Sequence, residues 1–112
     1  MRALEVYRNG IMAGTLVEKN RRYYTFRYDE TYFNDPHKPA ISLTLPQTQM
    51  EFSSEYLFPF FLNMLSEGVN RQLQCTFLRI DEEDDFGLLA ATARHDTVGA
   101  ITVKLITPNE PN

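Results

Sequence analysis

The most chemically suggestive stretch of this sequence is an acidic run at residues 81–85, Asp-Glu-Glu-Asp-Asp. Closely spaced carboxylates are the ligands that Ca²⁺ prefers, and an EF-hand loop begins with such a run. With Asp81 at the first loop position, the position that requires glycine holds Phe86 and the closing glutamate position holds Thr92. The run therefore predicts the N-terminus of a helix, where negative charge is favourable, and no metal ligands.

Side chains that could act as nucleophiles or bases are few and scattered. His37 and His95, the two histidines, are far apart in the sequence, and Cys75, the single cysteine, has no histidine close to it that could serve as its base. Gly10 and Gly14 do not form a dinucleotide fingerprint, and no Walker-type phosphate loop is found. We therefore predict no catalytic, cofactor-binding or metal-binding residues, and a protein that is not an enzyme.

The charge balance argues against a nucleic-acid-binding protein. The 112 residues have a formal net charge of -4 at pH 7, whereas phosphate contacts need clustered lysine and arginine. Lys19, Arg21 and Arg22 do form a small basic group, but so few charges are typical of an exposed strand edge. We expect no direct contact with nucleic acid.

Length and composition indicate one packed domain of a cytoplasmic protein. A chain of 112 residues with 43% hydrophobic content suffices for one core and is short for two. A single cysteine cannot form an internal disulfide, which fits a reducing compartment. The first ten residues contain three charges and do not resemble a secretion signal, and no stretch approaches the roughly 20 apolar residues of a membrane span.

The first quarter of the chain predicts an antiparallel meander. Residues 2–8 and 11–18 have strand-like alternation, and Asn9-Gly10 between them is a residue pair that readily forms a two-residue hairpin turn. Residues 22–28 alternate again and predict the third strand of the meander.

Three shorter elements are predicted outside the meander. Turn residues leave room for only one helical turn near residues 29–33. The stretch 41–46 predicts a short strand that ends at its proline, and 98–106 predicts a last strand. A domain over 1–106 and a polar tail over 107–112 follow.

From residue 53 the apolar period changes to that of a helix, for which Ser53 or Ser54 could be the N-cap. Pro59 lies inside the pattern, so the helix either begins late or kinks there, and both alternatives remain open. The apolar stripe consists of Leu57, Phe60, Phe61, Met64 and Leu65.

Two further helices are predicted after Gly68, and the first of them forms a hairpin with the preceding helix. Asp84 or Asp85 can cap the other, which begins within the acidic run. The apolar stripe of the hairpin's second helix consists of Val69, Leu73, Phe77 and Ile80. The predicted fold class is α+β: a small antiparallel meander or partly closed barrel with an inserted helical hairpin and a closing C-terminal strand.

The helical stretch at 58–71 combines two kinds of residue. Phe60, Phe61 and Met64 indicate core, because aromatic stripes are usually buried. Residues 65–70 mix polar and apolar side chains at a turn, a usual place for recognition, and the residues alone do not decide between core and interface there.

Several motifs together resemble, in order, the N-terminal subdomain of HipA-type serine/threonine kinase toxins. They are YRNGIMAGTL (7–16), FRYDETYF (26–33), ISLTLP (41–46), FPFFLNMLSEGVNR (58–71) and DDFGLLAATARHDTVGAI (84–101). The family pattern FF-x-N-L-L-P-E-G is matched by Phe60, Phe61, Asn63, Leu65, Glu67 and Gly68. The sequence departs from the family at Met64, Ser66 and Ala93, where the fused kinases commonly have leucine, proline and glycine.

The resemblance implies a function without chemistry of its own. HipA-type proteins carry this subdomain fused to a kinase that phosphorylates an aminoacyl-tRNA synthetase, and this chain is similar to the HipS-like small subunits of HipBST toxin–antitoxin systems. The implied function is that of an antitoxin that binds a HipT/HipA-type kinase, with a HipB-type DNA-binding protein as a further partner; the alternative is a lobe that completes the kinase. The implied kinase-facing residues are the hairpin tip, Met64, Leu65, Ser66, Glu67, Gly68, Val69, Asn70 and Arg71.

Overall fold

A five-stranded antiparallel sheet with helices packed against it forms the framework of the protein. The computed structural model describes residues 1–65, 68–92 and 101–106. The strands are β1 (Arg2–Arg8), β2 (Ile11–Asn20), β3 (Tyr23–Tyr28), β4 (Glu51–Ser54) and β5 (Ile101–Ile106), and the helices are α1 (Glu30–Phe33), α2 (Pro59–Leu62), α3 (Gly68–Leu78) and α4 (Asp85–Thr92). The strand order is β4-β3-β2-β1-β5, which confirms the α+β class and shows an open sheet with β4 and β5 at its two edges.

The meander is confirmed, and its first turn shows why the sequence determines it. Asn9 and Gly10 both have positive φ, 52° and 78°, as a two-residue type I′ turn requires, and Arg8 pairs with Ile11 across it. A β-bulge between Val6 and Tyr7 shifts the pairing by one residue, and the shifted register places Arg2 opposite Glu18 at the other end of the hairpin. The turn and the bulge together therefore set a charged pair that is distant in the sequence.

The predicted strand at 41–46 is wrong: that stretch forms turns. Ile41 and Leu45 are buried, but Leu43, which a strand would place on the same face, is 99% exposed. The Ile41 N–H donates to the Tyr28 hydroxyl at 3.2 Å, and that hydroxyl donates to the Leu45 carbonyl. The Leu45 N–H donates to the Ser42 carbonyl at 3.1 Å. Because one buried tyrosine satisfies both ends of the segment, no neighbouring strand is needed.

The short helical turn predicted near 29–33 is confirmed as α1. Asp29 has extended backbone geometry, and its carboxylate accepts a hydrogen bond from the Tyr32 N–H at 3.3 Å. This is the usual N-cap arrangement for a helix that begins after an aspartate.

The helix predicted from residue 53 begins later, and the N-cap assigned to Ser53 or Ser54 is wrong. Both serines belong to β4, whose Phe52 pairs with Phe26 of β3. The helix begins at Pro59, which resolves the alternative that the sequence left open. Proline suits the first helical position because its missing N–H would have no intrahelical partner there.

The core lies on one face of the sheet. The aromatic residues of the hairpin contribute to it as predicted: Phe61 is fully buried, and Phe60 and Met64 pack against the buried cluster. The Phe61 ring lies 6.0 Å from that of Phe26, centroid to centroid. The residues that bury most volume are Tyr28, Tyr32, Phe26, Phe61, Phe86, Leu4, Leu16, Leu45, Leu88, Leu89 and Val6.

The C-terminal part of the domain closes the edge beside β1. The helix cap predicted at Asp84 is confirmed, since its carboxylate accepts a hydrogen bond from the Gly87 N–H at 3.1 Å. Val103 of β5 pairs with Val6 of β1, so the closing strand is confirmed over 101–106. The first part of the predicted strand, 98–100, and the predicted tail, 107–112, lie outside the described residues.

Candidate functional site

The structure describes part of the hairpin tip predicted at residues 64–71. Ser66 and Glu67 lie outside the described residues, and Gly68 and Val69 are described only as the beginning of α3. The remaining positions can be compared with the prediction one by one.

The described tip residues have different environments. Leu65 is buried in the core, and Met64 is half-buried against it. Asn70 is exposed. Arg71 donates hydrogen bonds to the Glu82 carbonyl and forms an ion pair with Asp85. Leu65 and Arg71 thus attach the two ends of the tip to the domain, whereas Asn70 is exposed.

The apolar stripe predicted for α3 is not its buried face. Leu73 and Phe77 are 61% and 90% exposed, whereas Cys75 is 3% exposed and faces the core. The stripe was found by its helical period, which identifies a face but not the side on which a helix packs. No signal in the sequence of α3 indicates that this apolar face is exposed, because an apolar face is normally the buried one.

A charged cluster joins the first strand to the last described helix. The Arg2 guanidinium donates to Glu18 at 2.8 Å and, with two nitrogens, to Asp84 at 2.7 and 3.0 Å. Arg2 also lies 5.0 Å above the Phe86 ring, and the Tyr24 hydroxyl donates to Glu18 at 3.0 Å. Sequence reasoning did not find this cluster, because its members come together only through strand register and the packing of α4.

The cluster changes the acid–base properties of its members. The hydrogen bonds from Arg2 are the main reason that the pKa of Asp84 lies below its ordinary value of 3.8, and burial opposes them. Burial, followed by the hydrogen bond to Glu18, raises the pKa of Tyr24 to about 12. Arg2 and Asp84 therefore remain charged at neutral pH and bind each other.

A cavity of about 300 Å³ lies beside this cluster, between the β2–β3 turn, α2 and the start of α4. Tyr56, Leu57 and Leu62 contribute apolar walls, and Arg21 and Glu83 contribute polar ones. Arg2, Glu18 and Asp84, which also line the cavity, are paired with one another.

We expect Asp84→Asn to weaken the acid dependence of stability. Because the folded-state pKa of Asp84 is depressed, its carboxylate stabilises the fold above the unfolded value near 4, and this contribution is lost as the pH falls through the folded value. Asparagine still caps a helix, so the variant isolates the charge. The expected loss at pH 7 is about 1 kcal/mol, since Arg2 is partly exposed and solvent screens the pair.

Urea unfolding between pH 2.5 and 7 measures this effect. The free energies of unfolding of Asp84→Asn and of the wild type should converge as the pH falls below about 4. Glu55→Gln, which removes an exposed carboxylate, is the control and should follow the wild type. A constant difference between Asp84→Asn and the wild type at every pH would contradict the prediction.

The other residues considered for chemistry are dispersed. His37 is exposed, and His95 lies outside the described residues. Within 1–65, 68–92 and 101–106, no group of three histidine, cysteine, aspartate or glutamate side chains could hold a metal ion. None of the helices in those ranges has the length and apolar character to cross a membrane.

The small basic group lies at the β2–β3 turn. Lys19 extends over the Tyr23 ring, 5.3 Å from its centroid, and the Arg22 N–H donates to the Asn20 side chain at 2.8 Å. Arg21 and Arg22 are exposed. The group is solvent-exposed, as expected, but it lies at a turn between two inner strands and not along an edge strand.

The known relatives of this chain include one of similar length and one that is much longer. An uncharacterized protein of Haemophilus influenzae is 31% identical over 104 residues, which are 93% of this chain and 92% of that protein. A putative kinase, Y4mE, of Sinorhizobium fredii is 28% identical over 89 residues, which are 80% of this chain but 21% of the kinase. The chain thus spans nearly all of the first relative and about a fifth of the second.

A solved structure and a family model agree with each other. The solved N-terminal domain of HipA toxin superimposes with a TM-score of 0.71 at 28% identity, covering 97% of this chain and 96% of the solved one. Residues 4–104 match the family model of the HipA N-terminal domain. The chain therefore belongs to the HipA N-terminal domain family, and is related to toxin–antitoxin proteins.

Proposed function

We propose that this protein is an antitoxin that binds and inhibits a separately encoded HipT/HipA-type serine/threonine kinase through protein–protein contacts. The observation that supports this most is the occurrence of the same domain in two contexts. It makes up about a fifth of the putative kinase Y4mE and nearly all of the Haemophilus influenzae relative. A domain that is fused to a kinase in one protein can bind a kinase as a separate chain in another.

The hairpin tip is the inhibitory element in this proposal. Leu65 is buried in the core and Arg71 is paired with Asp85, so both ends of the tip are attached to the domain. Attachment lowers the entropy lost when the segment between them enters the cleft of a partner. The tip then blocks the geometry that phosphoryl transfer requires, with no catalytic group of its own.

The remaining properties of the proposed complex follow from charge and composition. The protein needs no cofactor and acts in the cytoplasm, where its kinase is made. The net charge of -4 disfavours direct DNA contact, so any operator binding is through a HipB-type partner. The protein is proposed to be non-enzymatic because its sequence has no recognisable catalytic motif, and the Arg2–Glu18–Asp84 charges at the cavity are paired with one another.

A second candidate function is a structural lobe that completes the kinase. Its support is the putative kinase relative, in which the matching domain is part of the kinase chain itself. Both functions use the same docking surface, but they have opposite effects on kinase activity.

Growth of cells that express the adjacent kinase, with and without this protein, separates the two. Rescue together with co-purification of the pair supports the antitoxin. Worsened growth with co-purification supports the completing lobe, and absence of binding contradicts both.

The tip is tested in the same assay by replacing Ser66, Glu67 and Asn70 together with alanine, while Leu65 is kept because it belongs to the core. The expected result is retained binding with loss of rescue. Alanine at the exposed positions 51, 53 and 55 is the matched control and should rescue fully. Full rescue by the tip variant would show that inhibition resides elsewhere.

A further inference from the structure

We propose that the outer face of α3, formed by Leu73 and Phe77, is the docking site that binds an apolar groove on the kinase. The proposal rests on the proposed function and assigns binding and inhibition to two different surfaces. The α3 outer face provides affinity, and the hairpin tip provides inhibition.

The geometry of α3 places these residues together and away from the core. Leu73 and Phe77 are four positions apart and share one face of the helix, whereas Cys75, between them in sequence, faces the core. Asn70, three positions before Leu73, lies on the same face. The α3 outer face is therefore continuous with the hairpin tip, of which Asn70 is a member.

The second argument is the absence of charge from this face. Arg71 is the only charged residue of α3, and it is paired with Asp85 of α4. A helix face exposed to water normally bears charged side chains. An exposed face that has an aromatic side chain and no charge has instead the composition of the centre of a protein–protein interface.

The third argument identifies the chemistry of the partner. Asp81, Glu82 and Glu83 are exposed, and the hydrogen bonds from Arg71 to the Glu82 carbonyl hold this acidic loop on the side of α3 that Arg71 and Cys75 share. The complementary surface is an apolar groove with a basic flank where the loop approaches the kinase. A second copy of this chain is the poorer partner, because it has the same net charge of -4.

Affinity measurements on the purified kinase test the docking site. Phe77→Ser is expected to weaken binding about 30-fold, as for an aromatic residue at the centre of an interface, and Leu73→Ser by about 3- to 10-fold. Leu43→Ser is the matched control, because Leu43 is 99% exposed on the 41–46 turn and lies outside the proposed surface. Leu43→Ser should bind like the wild type, and all three variants should keep the wild-type melting temperature.

A kinetic measurement tests the acidic flank separately. Replacing Glu82 and Glu83 with glutamine should slow association several-fold at low salt and reduce its salt dependence, with dissociation nearly unchanged. An association rate that does not change would overturn the assignment of a basic flank.

The outcomes distinguish this inference from the proposed function. If the wild type binds the kinase and Phe77→Ser and Leu73→Ser bind equally well, the docking site is elsewhere while the antitoxin proposal stands. If the wild type does not bind the kinase, the proposed function fails and the docking site fails with it. If Phe77→Ser abolishes self-association and leaves kinase binding intact, the face joins two copies and the inference is overturned.

Discussion

Phe61→Ala is expected to lower the free energy of unfolding by about 3–5 kcal/mol, the usual cost of removing a fully buried phenylalanine. The Phe61 side chain is 0% exposed and contacts rings on two sides: Phe26 of β3 at 6.0 Å and Phe60 at 5.1 Å, centroid to centroid. It is the contact by which α2 is attached to the sheet. Its removal leaves a cavity between the two layers, which the sheet cannot close without breaking strand pairing.

Chemical denaturation monitored by circular dichroism measures this loss. Phe60→Ala is the matched control, since the neighbouring ring is only partly buried, and its expected cost is about half as large. Equal losses for the two variants would mean that the two rings contribute similarly to the core. The hairpin tip follows α2 directly, so Phe61→Ala should also weaken kinase binding in proportion to the unfolded fraction.

The parts of the fold that could be predicted are those in which local chemistry and tertiary structure agree. Asn9-Gly10 permits positive φ at two successive residues, and this sets the first hairpin and its register as far as Tyr7, beyond which a β-bulge shifts the pairing by one residue. Asp29 and Asp84 are caps whose carboxylates bond to the nearby backbone. In each case the interaction partners are within a few residues of one another.

The incorrect predictions concern segments whose structure depends on residues that are distant in the sequence. The alternation over 41–46 predicts one face for Ile41, Leu43 and Leu45, but Leu43 is exposed while the other two are buried. The Tyr28 hydroxyl takes the place of a neighbouring strand. No local pattern identifies a hydroxyl group that is more than ten residues away. The same holds for β4, whose strand geometry depends on pairing with β3.

The candidate site was predictable only in outline. The motif at 58–71 indicated the hairpin, and the core role of Phe61 was correct. The exposure of Leu73 and Phe77 could not be predicted, because α3 has apolar residues on more than one side and only packing determines which side is buried.

Gly14→Ala is the second large effect that we expect, a loss of about 3 kcal/mol, at the upper end of the usual cost of overpacking. A Cβ atom at position 14 would lie 2.5 Å from the Arg27 carbonyl oxygen and 2.6 Å from the Phe26 ring. The carbonyl belongs to the backbone of β3, which pairs with β2 here, and the Phe26 side chain is fully buried. Neither neighbour can move without disturbing the sheet.

Gly10→Ala separates this steric effect from the conformational freedom of glycine. Gly10 has a φ of 78° and open space where a Cβ would be, so its substitution costs only backbone strain, about 1 kcal/mol. Denaturation of both variants should rank Gly14→Ala as the more damaging. The reverse order would mean that strain in the hairpin turn matters more than the contact beneath Phe26.

The consequence of Gly14→Ala should extend to the partner-binding elements. The Phe26 ring contacts that of Phe61, so displacement of Phe26 moves α2 and with it Leu65, at the first end of the tip. We therefore expect weaker kinase inhibition by the folded variant at temperatures well below its melting point. Adding Phe26→Leu should restore only part of the stability, because the Arg27 carbonyl still opposes the new methyl group. A glycine in the second strand thus determines how closely the sheet and the helical hairpin can pack.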